Sequence, residues 1–213
     1  EILAQVITNS ICMSSYKAAI QGNDHKRVPD DIDKNPVIIG HEFCGLILEV
    51  GKKWCDMISP GMKFSIQPAL NMEQNPYAAP GYSYRFIGGN ATHVIIPNEV
   101  MELGCLLEYT GDAYFYGSIA EPVSCIAGAF HANYHTKSGS YEHIMGIAEG
   151  GNMALLAGVG PMGLSAIDYA IHSTRKPSRL VVTDINKERL DRAASLYTVE
   201  EARIKGVELL YLN

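Results

Sequence analysis

The sequence predicts an α/β chain in two parts: a β-rich, barrel-like part over residues 1–126, then the opening half of a doubly wound parallel sheet over residues 127–213. Three observations carry this expectation. Up to about Pro122, short apolar runs alternate with Gly, Pro and Asn turns, the texture of antiparallel strands. From about Ala127, apolar strands alternate with helical periodicity, as βαβ construction requires. A buried-strand run from Met153 to Ala157 enters a Gly-x-Gly-x-x-Gly turn and continues into a helical pattern.

Taken in order, Glu1 to Thr8 predicts a strand through Ile2, Leu3, Val6 and Ile7. Val37-Ile38-Ile39, Gly45 to Val50, Lys63 to Ile66 and Thr92 to Ile96 predict four more. A Glu before a Pro, here Glu121-Pro122, often starts a helix. The polar stretch from Asn133 to Gly151 has no strong period and is expected to be a surface connection, with the domain boundary between Glu121 and Gly151. Leu180 to Thr183 and Val207 to Leu212 predict the second and third strands of the parallel sheet. The chain opens without a start methionine and stops inside its last strand, so it is expected to be a fragment, inactive by itself, with three of the roughly six strands of a complete doubly wound domain.

Bulk properties exclude several classes. Hydrophobic residues make up 47% of the 213 positions, too many for general disorder. No apolar stretch approaches the roughly 20 residues needed to span a bilayer. A net charge of −6 argues against a nucleic-acid or anionic-membrane surface, which calls for concentrated Lys and Arg. Five Cys (12, 44, 55, 105 and 125) form no Cys-x-x-Cys pair, as expected of reduced thiols in the cytoplasm. No internal repeat is found, and a soluble protein without a signal peptide and with a small-molecule partner is expected.

The glycine motif is Gly158-Val159-Gly160-Pro161-Met162-Gly163. Its first glycine permits a tight turn, the second lets a pyrophosphate approach the backbone, and the third lets helix and strand pack closely. The helix N-terminus adds unpaired N–H groups and partial positive charge. Asp184 ends the next strand 21 residues after Gly163, the place of an acid that accepts hydrogen bonds from an adenosine ribose. A carboxylate there repels a 2′-phosphate, so NAD(H) is expected in preference to NADP(H). Without that context the glycines would be an ordinary turn with an exposed Asp.

Pro36-Val37-Ile38-Ile39-Gly40-His41-Glu42-Phe43-Cys44-Gly45, continuing to Glu49-Val50-Gly51, resembles the GHE…G…VG signature of the zinc-containing medium-chain alcohol and polyol dehydrogenases. Cys12-Met13-Ser14 matches that family's Cys-x-Ser/Thr, and Glu121-Pro122 resembles the Glu-Pro of its polyol branch. The resemblance runs from Cys12 to Asp184 and implies a GroES-like catalytic domain followed by a Rossmann NAD domain. It implies that Cys12 and His41 are zinc ligands, Glu121 a third, and Glu42 an alternate ligand or close catalytic neighbour. It makes Ser14 the first carrier of the alcohol proton. A thiolate, an imidazole and a carboxylate leave the fourth zinc position open, as a catalytic site requires. Singly, each residue has an ordinary reading: a small buried thiol, a packed or surface His, a helix-starting Glu, and, for Ser14, a turn hydroxyl.

Two departures matter. Lys17 stands where the family often has a His in its outer proton relay, and it is a candidate for meeting an anionic substrate group. Gln67 to Ala91 contains no Cys, so no structural zinc is expected. Cys44, Cys55, Cys105 and Cys125 are expected to be buried thiols, with Cys125 close enough in sequence to Glu121 to face the same site.

The segments Pro80-Gly81-Tyr82-Ser83-Tyr84, Tyr114-Phe115-Tyr116-Gly117-Ser118 and Phe130-His131-Ala132-Asn133-Tyr134-His135 are similar to those of the bacterial sorbose-1-phosphate reductase branch. The implied reaction interconverts a secondary alcohol of a polyol or sugar phosphate and its ketone with NAD(H), with L-sorbose 1-phosphate and D-glucitol 6-phosphate as one pair. Most of the Tyr side chains are expected to be packing residues. The full-length protein is expected to be a homo-oligomer. A zinc-free reductase in which Cys12, His41 and Glu121 are structural is the alternative enzyme reading, separated by metal analysis. A non-catalytic nucleotide-binding protein of the same fold would bind NAD and leave polyols untouched.

Overall fold

The computed structural model describes residues 1–213, which divide into two compact units, Glu1–Glu121 and Pro122–Asn213. In the first, the elements are β1 (Ile2–Asn9), α1 (Met13–Gln21), β2 (Phe43–Val50), β3 (Lys63–Ile66), β4 (His93–Ile96), α2 (Asn98–Glu102), β5 (Leu106–Glu108) and α3 (Tyr114–Ser118). Five strands form one antiparallel sheet in the order β4-β1-β2-β3-β5.

Period-two alternation sends Ile2 and Ala4 of β1 and Val94 and Ile96 of β4 inward. They meet Phe43, Ile47, Phe64 and Ile66 in one core, where the Phe43 and Phe64 rings pack edge to face at 6.0 Å, a favoured aromatic geometry. Gly45 lets β1 cross β2 closely: a Cβ there would lie 2.0 Å from the Gln5 carbonyl oxygen. The register between β1 and β2 shifts at Leu3/Ala4 and Val6/Thr8, and such irregularities bend and twist a sheet.

The helix α4 (Ala120–Ala132) carries the chain into the second unit, followed by β6 (Tyr134–His135), β7 (Ile144–Met145), β8 (Asn152–Leu156), α5 (Pro161–His172), β9 (Arg179–Thr183), α6 (Lys187–Leu196), α7 (Val199–Ile204) and β10 (Glu208–Leu212). The last three strands form a parallel sheet in the order β10-β9-β8, the first half of a doubly wound arrangement. Ile167, Ala170 and Ile171 of α5 pack on Leu180, Val182 and Leu209. Pro161 sits in the first turn of α5, Asn186 caps α6 by accepting from the Arg189 N–H at 3.0 Å, and Thr198 with Glu201 forms a capping box on α7. Each cap satisfies a backbone donor that a helix start leaves without an intrahelical partner.

Three sequence expectations are corrected. Val37-Ile38-Ile39 is not a strand. Its backbone makes single hydrogen bonds, from the Ile38 N–H to the Tyr84 carbonyl (3.1 Å) and from the Asn90 N–H to the Ile39 carbonyl (3.0 Å). The following Gly40 has φ +99°, which ends extended geometry before a ladder can form. The connection over 133–151 contains the short β6–β7 ladder. Cys55 and Cys125 are exposed rather than buried, whereas Cys44 and Cys105 are buried as expected; burial pushes the Cys44 thiol up to about 11. No helix is long and apolar enough to cross a membrane.

The glycine turn gives a paired test. A Cβ on Gly163 would lie 2.2 Å from the Gly158 carbonyl oxygen, whereas one on Gly160, at φ −76°, would meet nothing within 4 Å. Gly163→Ala is expected to lower stability by about 1–3 kcal/mol through overpacking, and Gly160→Ala to change it by less than about 0.5 kcal/mol. Urea unfolding midpoints of the full-length protein check both; equal midpoints would contradict the packing role of Gly163.

Candidate functional site

Residues remote in sequence reach one place because each sits at the end of an element. Cys12 is the extended residue (φ −97°, ψ 140°) before α1, and its carbonyl accepts the Ser15 and Tyr16 N–H groups at 3.1 and 3.3 Å. That puts Ser14 and Ser15 in the first turn. His41 and Glu42 immediately precede β2. They are delivered by Gly40, whose carbonyl lies where a Cβ on Gly81 would be, 2.2 Å from it. Gly81 thereby allows the loop carrying Tyr82 to lie against the His41 segment.

The imidazole of His41 is 6% exposed and the carboxylate residue Glu42 is 5% exposed. Ser15 Oγ engages Nδ1 at 3.1 Å. Nε2 faces Ser14 Oγ at 3.5 Å, the Tyr82 hydroxyl at 3.4 Å and Glu42 Oε1 at 3.9 Å. Tyr82 packs its ring on His41 at 4.8 Å and donates to Ser14 Oγ at 2.8 Å, while Ser14 Oγ lies 2.9 Å from Cys12 Sγ. The Ser10 hydroxyl donates to Glu42 Oε2. Burial holds the His41 pKa below its ordinary value; Glu42 opposes this and Arg27 adds to it. Burial also raises the Tyr82 phenol, against the Ser14 hydrogen bond. Tyr82 is therefore a protonated donor and His41 a neutral imidazole, the form that binds metals.

Ligand atoms of Cys12, His41 and Glu42 all lie within 4.8 Å of one another. Tetrahedral zinc bonds of about 2.0–2.3 Å hold neighbouring ligand atoms about 3.5 Å apart, so small side-chain movements suffice for this sulfur, nitrogen and oxygen set to fit the ion. Glu121, in the first turn of α4, lines a cavity that His41 also lines. The cavity measures about 210 Å³, and Ser14, Arg27, His41 and Tyr82 also line it.

Lys17 is exposed and does not line the cavity; Arg27 is the cation that does. Sequence reasoning passed over Arg27, which lies in the loop after α1 with no local pattern to mark it. Among the three aromatic segments noted above, Tyr82 is the residue that lines the cavity, and the Gly81 beside it was the available clue.

In the second unit the glycine turn has the geometry its spacing implies. The Gly158 N–H donates to the Thr183 carbonyl at 3.0 Å, and the Leu164 N–H to the Gly160 carbonyl at 2.8 Å. Ala157 enters the turn at φ +53°. Leu156 and Thr183 are register partners at the C-terminal ends of β8 and β9, so Asp184 follows β9 at the same end of the parallel strands from which the turn departs. One Asp184 oxygen accepts the Asn186 N–H at 2.8 Å. Pro161 and the half-exposed Met162 begin the helix.

The alcohol dehydrogenase GroES-like domain family matches residues 1–110. The chain is 56% identical over 200 residues to L-sorbose 1-phosphate reductase of Klebsiella pneumoniae, covering 94% of this chain and 48% of that protein. It is 54% identical over 213 residues to mannitol-1-phosphate 5-dehydrogenase of Aliivibrio fischeri, covering 100% of this chain and 50% of that one. It thus spans about half the length of these curated relatives. Among solved structures, Haloferax mediterranei glucose dehydrogenase in complex with NADP, Zn and gluconolactone is similar in fold, with a TM-score of 0.66 at 15% identity, covering 100% of this chain and 56% of that one.

Ser15 is 7% exposed and its Oγ lies 3.1 Å from Nδ1 of His41, a contact that holds the ring from the edge opposite Nε2. Ser15→Ala is expected to weaken zinc binding about 10- to 100-fold, as loss of an outer-shell partner does, with far-UV circular dichroism unchanged. Competitive chelator titration measures this; an unaltered zinc affinity would remove Ser15 from that role.

Proposed function

This chain belongs to the zinc-type medium-chain alcohol dehydrogenase family, and on that premise we propose that the full-length protein is a zinc-dependent, NAD(H)-linked oxidoreductase of polyols or sugar phosphates. It interconverts a secondary alcohol and its ketone, with L-sorbose 1-phosphate and D-glucitol 6-phosphate as the favoured pair. The observation that carries the reading is the convergence of Cys12, His41 and Glu42 within 4.8 Å beside a cavity lined by Ser14 and Glu121. The two sugar-phosphate relatives support the substrate class.

Cys12, His41 and Glu121 hold the zinc, with Glu42 as alternate ligand or close neighbour. Bound zinc supplies Lewis acidity that lowers the pKa of an alcohol hydroxyl, and bound NAD supplies the hydride acceptor. The chain's own groups do the rest. Ser15 and Tyr82 hold the His41 ring from its edge and its face. Ser14, held by the Tyr82 hydroxyl that donates to it at 2.8 Å, conducts the proton away from the alcohol. In the second unit, Gly158, Gly160 and Gly163 with Pro161 and Met162 cradle the pyrophosphate at the α5 N-terminus, and Asp184 takes the ribose and favours NAD over NADP. The protein works in the cytoplasm as a homo-oligomer.

Elemental analysis of the purified full-length protein and its Cys12→Ala variant tests the metal assignment, alongside an NADH-linked assay with ketose phosphates and free ketoses. Wild type is expected to hold zinc and reduce ketose phosphates; Cys12→Ala is expected to lose the zinc and at least about 100-fold in kcat/KM, equivalent to about 2.7 kcal/mol of transition-state stabilisation. Unchanged zinc content in the variant would exclude Cys12 from the ligand set.

A further inference from the structure

We infer that Arg27 is the residue that selects for an anionic substrate, binding the phosphate of a sugar phosphate whose reacting oxygen lies at the Ser14–His41 end of the same cavity. This rests on the function proposed above and adds to it the group that reads the phosphate.

Arg27 is held ready for such a role. Its backbone N–H donates to His25 Nδ1 at 3.3 Å, and its carbonyl accepts from the Ser83 hydroxyl at 2.7 Å. Ser83 Oγ in turn accepts the Ala79 N–H at 3.0 Å, so the Arg27 loop and the Tyr82 loop are fastened together. The side chain is half-buried. Its guanidinium lies over the Tyr82 ring at 5.8 Å and donates through Nη1 to the Tyr77 carbonyl at 3.2 Å. A guanidinium offers five N–H donors in a planar fork that matches phosphate oxygens, and one bond to a carbonyl leaves most of that fork for a ligand.

The cavity wall carries Arg27 and Glu121 as its charged side chains. Removing the Arg27 charge would take away a cationic partner for a phosphate and leave the contacts of an uncharged hydroxyl chain as they are. A phosphorylated substrate therefore loses more than a neutral polyol of the same skeleton. Lys17 does not line this cavity and does not compete for the role.

The test uses the full-length protein as wild type, Arg27→Gln and Arg27→Lys, with a ketose 1-phosphate and the corresponding free ketose as substrates. In Arg27→Gln, the ratio of kcat/KM for phosphorylated over free ketose is expected to fall about tenfold or more, as loss of a charge-assisted contact implies, with the loss carried by KM rather than kcat. Inorganic phosphate should inhibit wild type competitively and the Gln variant more weakly. Arg27→Lys should recover part of the ratio, because it keeps the charge without the fork. An unchanged ratio and unchanged phosphate inhibition in Arg27→Gln, with wild type preferring the phosphorylated ketose, would overturn the assignment of Arg27 and leave the sugar-phosphate reading intact. No preference in wild type would overturn that reading and this inference together.

Discussion

The buried, neutral imidazole of His41 is the constraint on which the N-terminal site depends. Burial disfavours the charged ring, which leaves a nitrogen lone pair for a cation. One nitrogen is taken by Ser15 and the other faces Ser14, Tyr82 and Glu42. Tyr82 contributes twice, by packing on the ring and by donating to Ser14. Tyr82 thus helps to set both the His41 ring and the Ser14 hydroxyl, and its place rests on the close approach of Gly40 and Gly81.

The candidate site residues of both units stand at the ends of elements. Cys12 precedes a helix, His41 and Glu42 precede a strand, Glu121 opens a helix, and the glycine turn joins a strand to a helix. The strands β2 and β8 and the helices α4 and α5 contribute Phe, Ile, Leu and other apolar side chains to two apolar cores, and α1 contributes Ala18 to a third, smaller cluster. Polar side chains placed there would need partners that an apolar layer does not provide. At element ends, unpaired backbone groups and open space make polar chemistry affordable.

Much of this was legible in the sequence where the signal is local. Short apolar runs bounded by Gly, Pro and Asn turns located β1, β2, β3 and β4, and the strand, glycines and helix from Met153 onward located β8 and α5. The Gly40-His41-Glu42 run and Cys12 suggested a metal site through their resemblance to the signature of the zinc-containing dehydrogenases. Val37 to Ile39 looked like a strand from composition, yet Gly40 turns the backbone away from a ladder. Cys55 and Cys125 looked buried because Cys usually is, while turn and helix-face positions expose them. Arg27 and the Tyr82 contacts depend on loops far apart in sequence, and no spacing rule reports such pairs.

The most direct measurement is X-ray absorption at the zinc edge of the purified full-length protein. A single sulfur at about 2.3 Å, with the remaining ligands nitrogen or oxygen at about 2.0–2.2 Å, is the predicted coordination shell. A shell without sulfur, one with several sulfurs, or no zinc signal would contradict the convergence of Cys12, His41 and a carboxylate on one ion.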